Sequence, residues 1–270
     1  MIPTAEILGI GEELLIGKIA NTNAQFLSKR ITSLGGRVTR HLVVGDDLAA
    51  IATAVNECLA RRPSFLITTG GLGPTFDDKT LEGIAEALGR PLALHPEAFR
   101  MVREKYETLS RQRGQAIELT PARVKMAKLP EGSTPLRNPV GTAPGVLIEV
   151  GDVTMIALPG VPSEMEAIFE ESVASMVKNR SDATFYEENW RLDGVYESEL
   201  APLIDQAMHT APFVYVKSHP RREEGRSHIE LHLSTSAPTL EEGKARVQKC
   251  IGALMQLIAK SGGKLSPMIG

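Results

Sequence analysis

Thr68-Thr69-Gly70-Gly71-Leu72-Gly73-Pro74-Thr75-Phe76-Asp77-Asp78-Lys79-Thr80 follows the apolar run Phe65–Thr69 and precedes a segment with helical spacing at Leu81, Ile84, Ala85 and Leu88. An apolar strand that runs into glycines and then into a helix is the grammar of an open α/β sheet, where ligands collect beyond the carboxyl ends of the strands. Glycines at 70, 71 and 73 let the backbone approach an anion and turn its N–H groups inward, and the following helix start adds partial positive charge. Thr75 and Thr80 add hydroxyls. Asp77 and Asp78 repel a phosphate, so their chemistry is to hold a divalent cation or to position a water while the amides grip the anion. The plainer reading is a glycine turn followed by aspartate caps.

Upstream, Ala5–Ile10 reads as a buried strand, Thr22 or Asn23 caps a helix that Gly35 and Gly36 stop, and Val38–Val44 is a second strand. Asp46 and Asp47 open a helix with Leu48, Ile51, Ala52, Val55 and Leu59 on one face. Strands that are apolar throughout and alternate with helices predict a mostly parallel sheet covered on both faces. Downstream, Gly151-Asp152 marks a hairpin, and Ser163 with Glu166 forms a capping box for a helix to about Lys178.

From about Asn179 the order changes to strand, helix, hairpin and a long helix. The chain therefore divides into an α/β/α domain over 1–180, a small α+β domain over 181–262 and a flexible tail over 263–270. Within the hairpin, period two puts His228, Glu230 and His232 on one face, with His219 across. That is zinc-ligand chemistry, but a solvated face is the ordinary role of such a row. Arg221, Arg222 and Arg226 form a basic cluster at the hairpin tip.

The 270 residues are 42% hydrophobic and 23% charged with net charge −3, and the pI is about 6.1. No global field favours nucleic acid or anionic lipid, and no run approaches the ~20 apolar residues of a membrane span. With two cysteines, both expected buried and free, the reading is a cytoplasmic protein.

Gly9-Ile10-Gly11-Glu12-Glu13-Leu14-Leu15-Ile16-Gly17-Lys18 comes near two phosphate-binding motifs and meets neither. The dinucleotide fingerprint requires glycine where Leu14 stands. The P-loop requires one residue fewer between its glycines and a hydroxyl where Ile19 stands. Glu12 and Glu13 suit a cation, a ribose or a helix start. Asn138-Pro139-Val140-Gly141-Thr142-Ala143-Pro144-Gly145 and Pro159-Gly160-Val161-Pro162-Ser163-Glu164 are rigid turns beside strands, and Gly141 and Thr142 are candidates for a binding wall.

Taken in order, the Gly11–Gly36 segment, Val43–Asp47, Thr68–Thr80, Asn138–Gly145 and Leu158–Met165 resemble the CinA-type (competence/damage-inducible) proteins, whose N-terminal module belongs to the molybdopterin-binding superfamily. The resemblance is strong over Ile7–Val177, and the later domain looks like the small KH-like domain of that family. It implies a three-layer α/β/α core, a homodimer or higher homo-oligomer, and divalent-metal-dependent (Mg, Co or Ni) pyrophosphate hydrolysis of ADP-ribose or a related dinucleotide. By that resemblance Gly70, Gly71, Gly73, Thr75 and Thr80, with Asn23, Asn138, Gly141 and Thr142, bind substrate. Asp77, Asp78 and Asp46 serve catalysis, and Asp77, Asp78 and Glu13 hold metal. The alternatives are molybdopterin binding or adenylylation, FAD hydrolysis, or a non-catalytic carrier of a nucleotide or pterin. Glu12 departs from the Asp or Asn usual there, which lengthens that side chain. The chain leaves no room for the nicotinamide-nucleotide amidase domain that often ends such proteins, so deamidation is not expected. No Gly-x-x-Gly loop is evident in the second domain, so RNA binding does not follow.

Overall fold

The computed structural model describes residues 1–223 and 226–268, the side chains of 223 and 226 excepted. It separates into two compact units, Ile2–Arg180 and the residues from Ser181 onward.

The first unit opens with β1 (Thr4–Ile10), the short α1 (Glu12–Leu15), α2 (Thr22–Ser33), β2 (Arg37–Val44), α3 (Leu48–Ala60), β3 (Phe65–Thr69) and α4 (Thr80–Leu88). A small antiparallel ribbon of β4 (Leu92–Leu94) and β5 (Lys128–Pro130) brackets α5 (Pro96–Arg113) and α6 (Pro121–Lys125). The unit closes with β6 (Thr134–Leu136), β7 (Gly145–Val150), β8 (Val153–Leu158), α7 (Pro162–Ile168), a π-helical turn at Phe169–Val173, and α8 (Ala174–Asn179).

Six strands form one sheet in the order β2-β1-β3-β8-β7-β6. The first four run parallel, and β7 and β6 are antiparallel to their neighbours. Alternation along β1 divides the core. Leu8 and Ile10 pack with Ile51, Val55 and Ile84 from α3 and α4 on one face. Ala5 and Ile7 pack with Leu27, Ile31, Ile168 and Val177 from α2, α7 and α8 on the other. Burying each such aliphatic side chain contributes about 1.5–3 kcal/mol, and this sets which face each helix covers. The result is the mostly parallel α/β/α sandwich anticipated from sequence.

Local signals explain most boundaries, with two corrections. The α2 cap is Asn21, whose side chain accepts from the Ala24 amide at 3.0 Å, and not Thr22 or Asn23. The α7 helix begins with Pro162 at its first turn behind Val161 and has no side-chain cap, so the Ser163–Glu166 capping box does not form. Proline at that position has already fixed the entry dihedral and removed one orphan donor. Asp47 does cap α3, accepting from Ala50 at 2.9 Å.

The second unit holds β9 (Thr184–Asp193), α9 (Glu197–Thr210), β10 (Tyr215–Glu223), β11 (Arg226–Ala237), α10 (Leu240–Lys260) and β12 (Lys264–Pro267). Its antiparallel sheet has the order β10-β11-β9-β12. Trp190, Leu192, Leu231 and Leu233 pack against Leu200, Val247, Ile251 and Leu254 of the two helices. Residues 263–270 were expected as a flexible tail. Instead Lys264–Pro267 pairs antiparallel with Trp190–Asp193. Backbone hydrogen bonding to β9, more than 70 residues away in sequence, supplies the order that the composition of this segment does not.

Candidate functional site: a glycine-floored acidic cleft

The sheet order places a crevice between β1 and β3. From β1 the chain passes through α2, on one face, to the edge strand β2. It then returns through α3, on the opposite face, to β3, so the loops leaving β1 and β3 diverge at their carboxyl ends. A cleft of about 340 Å³ lies there, floored by Ile10, Gly11 and Gly70–Gly73 and walled by Thr142, Ala143 and Pro159–Val161.

The floor requires glycine. Gly70 has φ +109, and a Cβ there would collide with the Ile10 carbonyl oxygen, while Gly71 has φ +62 and presses against the Thr80 hydroxyl. Gly70 donates to Leu158 O at 3.0 Å, tying the turn to β8. Among the described residues, no hydrogen bond engages the amides of Gly71, Leu72 or Gly73. Three consecutive N–H groups without a partner among the described residues beside a cleft are the backbone chemistry from which anion sites are built.

Five carboxylates line the same cleft: Glu13, Asp46, Asp77, Asp78 and Glu164, with no lysine or arginine among the described lining residues. Asp46 accepts from the Glu12 amide at 3.0 Å. Asp78 accepts from the Thr75 amide at 2.8 Å and from its hydroxyl, which also reaches Asp77. The Thr75 hydroxyl, then the backbone amide of Asp77 itself, hold the Asp77 carboxyl below its ordinary value, so it remains charged into the acid range. Glu164 accepts from Asn138 Nδ2 at 2.6 Å. No hydrogen bond reaches the Glu13 carboxylate among the described residues. Lys125 sits outside this wall, its ammonium turned to the carbonyls of Thr75 at 3.0 Å and Asp78 at 2.6 Å.

The structure thus gathers Gly70, Gly71, Gly73, Thr142, Glu13, Asp46, Asp77 and Asp78 around one space. Other candidates stand elsewhere. Thr80 is fully buried and donates to Gly70 O at 2.8 Å, so it braces the loop from behind and offers no hydroxyl to a ligand. Thr75 spends its hydroxyl on the two aspartates. Asn23 lines a recess of about 80 Å³ beside Glu13 and Gly160, donating to Gly160 O at 2.9 Å. Asn138 and Gly141 lie behind the wall, along a second cleft of about 360 Å³ against α5 that includes Arg100, Lys105 and Arg137.

The expected metal set of Asp77, Asp78 and Glu13 does not form a cage. Among the described residues, no three His, Cys, Asp or Glu side chains converge closely enough to hold an ion. The same holds for the β11 histidines. His228 is not a solvated residue as expected but 4% exposed, and His232 is taken up by Asn189 at 3.0 Å. Arg221 pairs with Glu230 at 2.9 Å, and the Arg226 side chain lies outside the described residues.

Glu164 was passed over in the sequence as part of a rigid turn beside a strand. Its signal was its position, six residues beyond the end of β8, where a parallel strand delivers its loop to the crevice.

Comparison with known proteins agrees with this fold. Residues 6–179 match the family model described as "Probable molybdopterin binding domain". Over nearly the whole chain, a protein of Aeropyrum pernix is 45% identical, covering 98% of this chain and 97% of its own. One of Sulfurisphaera tokodaii is 41% identical over 97% of both. The crystal structure of CinA from Thermoplasma acidophilum is similar with a TM-score of 0.58 and 41% identity, over 65% of this chain and 98% of that one. Among the described residues no helix is long and apolar enough to cross a membrane. The chain belongs to the molybdopterin-binding domain family and carries a CinA-like module of it.

Proposed function

We propose that the cleft binds a phosphorylated pterin or nucleotide as its divalent-cation complex. The observation that carries this reading is the pairing, among the described residues, of three unused amides at Gly71–Gly73 with five carboxylates and no lining cation. The amides call for an anion. The carboxylates oppose one, because a like-charged pair at 4 Å costs about 4 kcal/mol at an effective dielectric of 20. A cation carried on the phosphates reconciles the two. Magnesium keeps most of its waters and is held by one or two carboxylates plus substrate phosphates, so it needs no protein cage. The family match supports the pterin as ligand.

Titration calorimetry with pyrophosphate and with molybdopterin-class or adenine diphosphates, each with Mg²⁺ and with EDTA, tests this. Binding is expected only with the cation. Equal binding in EDTA removes the bridge, and binding of none of these ligands removes the reading.

A second reading, diphosphate hydrolysis, is favoured by Glu13. This acid lines the cleft and no hydrogen bond from another described residue engages its carboxylate, so it is available to take a proton from water attacking phosphorus. With ADP-ribose the products are AMP and ribose 5-phosphate. Release of AMP in Mg²⁺, Co²⁺ or Ni²⁺, lost in Glu13→Gln, supports it. Binding without turnover leaves a carrier.

A further inference from the structure

Phe76 is 88% exposed in the middle of the glycine loop. On both sides the turn is fastened, by Thr75 to Asp78 at 2.8 Å and by the Lys125 ammonium to the carbonyls of Thr75 and Asp78. Pro74 and Asp77, two residues before it and one after it, line the acidic cleft, so the loop segment that carries Phe76 borders that cleft. Two more large apolar side chains are exposed on the neighbouring loops, Val140 and Val161, each 52% exposed, and Val161 lines the cleft. A braced loop that holds an aromatic ring in water beside an anion cradle calls for a flat apolar partner.

We infer that Phe76 is the ring-binding residue of the site, stacking on the heteroaromatic ring of a ligand whose phosphates lie against Gly71–Gly73. This rests on the phosphate reading above and narrows it. The ligand class is a phosphate ester of a planar bicyclic heterocycle, a pterin or a purine, with the ring one short linker from the phosphates. Sugar diphosphates without a ring lose this contact. Stacking of one base on an aromatic side chain corresponds to roughly tenfold or more in affinity.

The test is calorimetry on the full chain with Mg²⁺, comparing pyrophosphate, ADP and hydroxymethylpterin diphosphate across the wild type, Phe76→Ala and Phe76→Trp. One or both ring-bearing ligands are expected to bind the wild type more tightly than pyrophosphate. Phe76→Ala should weaken that ligand roughly tenfold or more while leaving pyrophosphate unchanged, and Phe76→Trp should restore it. Equal loss for pyrophosphate, or no loss for any ring-bearing ligand, overturns the inference and leaves phosphate binding standing. No pyrophosphate binding by the wild type overturns both. A change of oligomeric state in Phe76→Ala, read by sedimentation velocity, assigns the ring to a contact between copies of the chain and also overturns it.

Discussion

Asn138 donates its side-chain amide to the Glu164 carboxylate at 2.6 Å, and so fixes the one acid of the cleft that follows β8. The same residue donates to Ala143 O at 2.7 Å and accepts from the amides of Val140 at 3.0 Å and Gly141 at 2.7 Å. Asn138 is 9% exposed, and it closes the whole turn on itself. Truncating it leaves several inward donors and acceptors unpaired. Asn138→Ala is expected to lose about 2–3 kcal/mol in urea denaturation. A loss below about 0.5 kcal/mol, the scale of an ordinary surface change, would show that the wall stands without it.

Gly141 lies so close to Glu164 that a Cβ there would fall inside the carboxylate. Gly141→Ala therefore moves Glu164 without altering any charge. The expected outcome is a shift in affinity for Mg²⁺–pyrophosphate with a smaller change in melting temperature than Asn138→Ala gives. Unchanged affinity would exclude Glu164 from the cation's surroundings.

Two glycines with positive φ separate dihedral cost from collision. Gly89, at φ +59, has open space around its Cβ position, so Gly89→Ala should cost only about 1 kcal/mol. Gly70 faces the backbone oxygen of Ile10, which cannot swing aside, so Gly70→Ala should cost more than about 4 kcal/mol or fail to fold. Similar melting temperatures for the two variants would contradict the tight β1–β3 junction.

Glu6, 3% exposed on β1, is held by the Arg61 guanidinium at 2.7 Å. Burial pushes its carboxyl up, but the Arg61 and Cys58 hydrogen bonds and the charges of Arg61 and Arg40 carry it below its ordinary value. A carboxyl depressed in the folded state stabilises above its unfolded value, near 4.5, and that contribution fades as pH falls through the folded value. Arg61→Met should cost about 3 kcal/mol at neutral pH, at the lower end for a broken buried pair because Arg40 remains. Its penalty should shrink in acid, where Glu6 is protonated; denaturation at pH 7 and pH 3 checks the sign.

Burial, then the neighbouring Glu6, pushes the Cys58 thiol up to about 12, and burial pushes Cys250 up to about 11. Neither thiol should react with a disulfide reagent at pH 8 in the folded chain, and both should in guanidinium. Fast labelling of the native protein would mean that one of the two helices opens.

The α/β/α sandwich was legible because strand, glycine and helix follow one another at Ile10–Gly11, Thr69–Gly70 and Leu158–Gly160, and each marks a parallel strand delivering a loop to one edge. Backbone chemistry was legible in part, since the positive φ at Gly70 and Gly71 is a property of the turn itself, whereas the collision with the Ile10 carbonyl is not local. Side-chain direction was not. Thr80 and Asp78 are equally polar on paper, yet one turns behind the loop to Gly70 O and the other faces the cleft. Whether Asp46 or Asp47 caps α3 depended on where the loop after β1 lies, because the Glu12 amide engages Asp46 and leaves Asp47 to the helix. The β12 strand was invisible because its partner is remote and Lys-Leu-Ser-Pro has little strand character of its own.

That short strand has a practical bearing on how the protein is handled. Without Lys264–Pro267, the outer flank of β9 from Trp190 to Asp193 would present bare amides and carbonyls, a template on which strands of other molecules assemble. A few residues with little core of their own thus act as a guard against aggregation. Trimming the chain at Lys260, or crowding that end with a bulky fusion, should lower the concentration at which it stays in solution well before it changes what the cleft can bind.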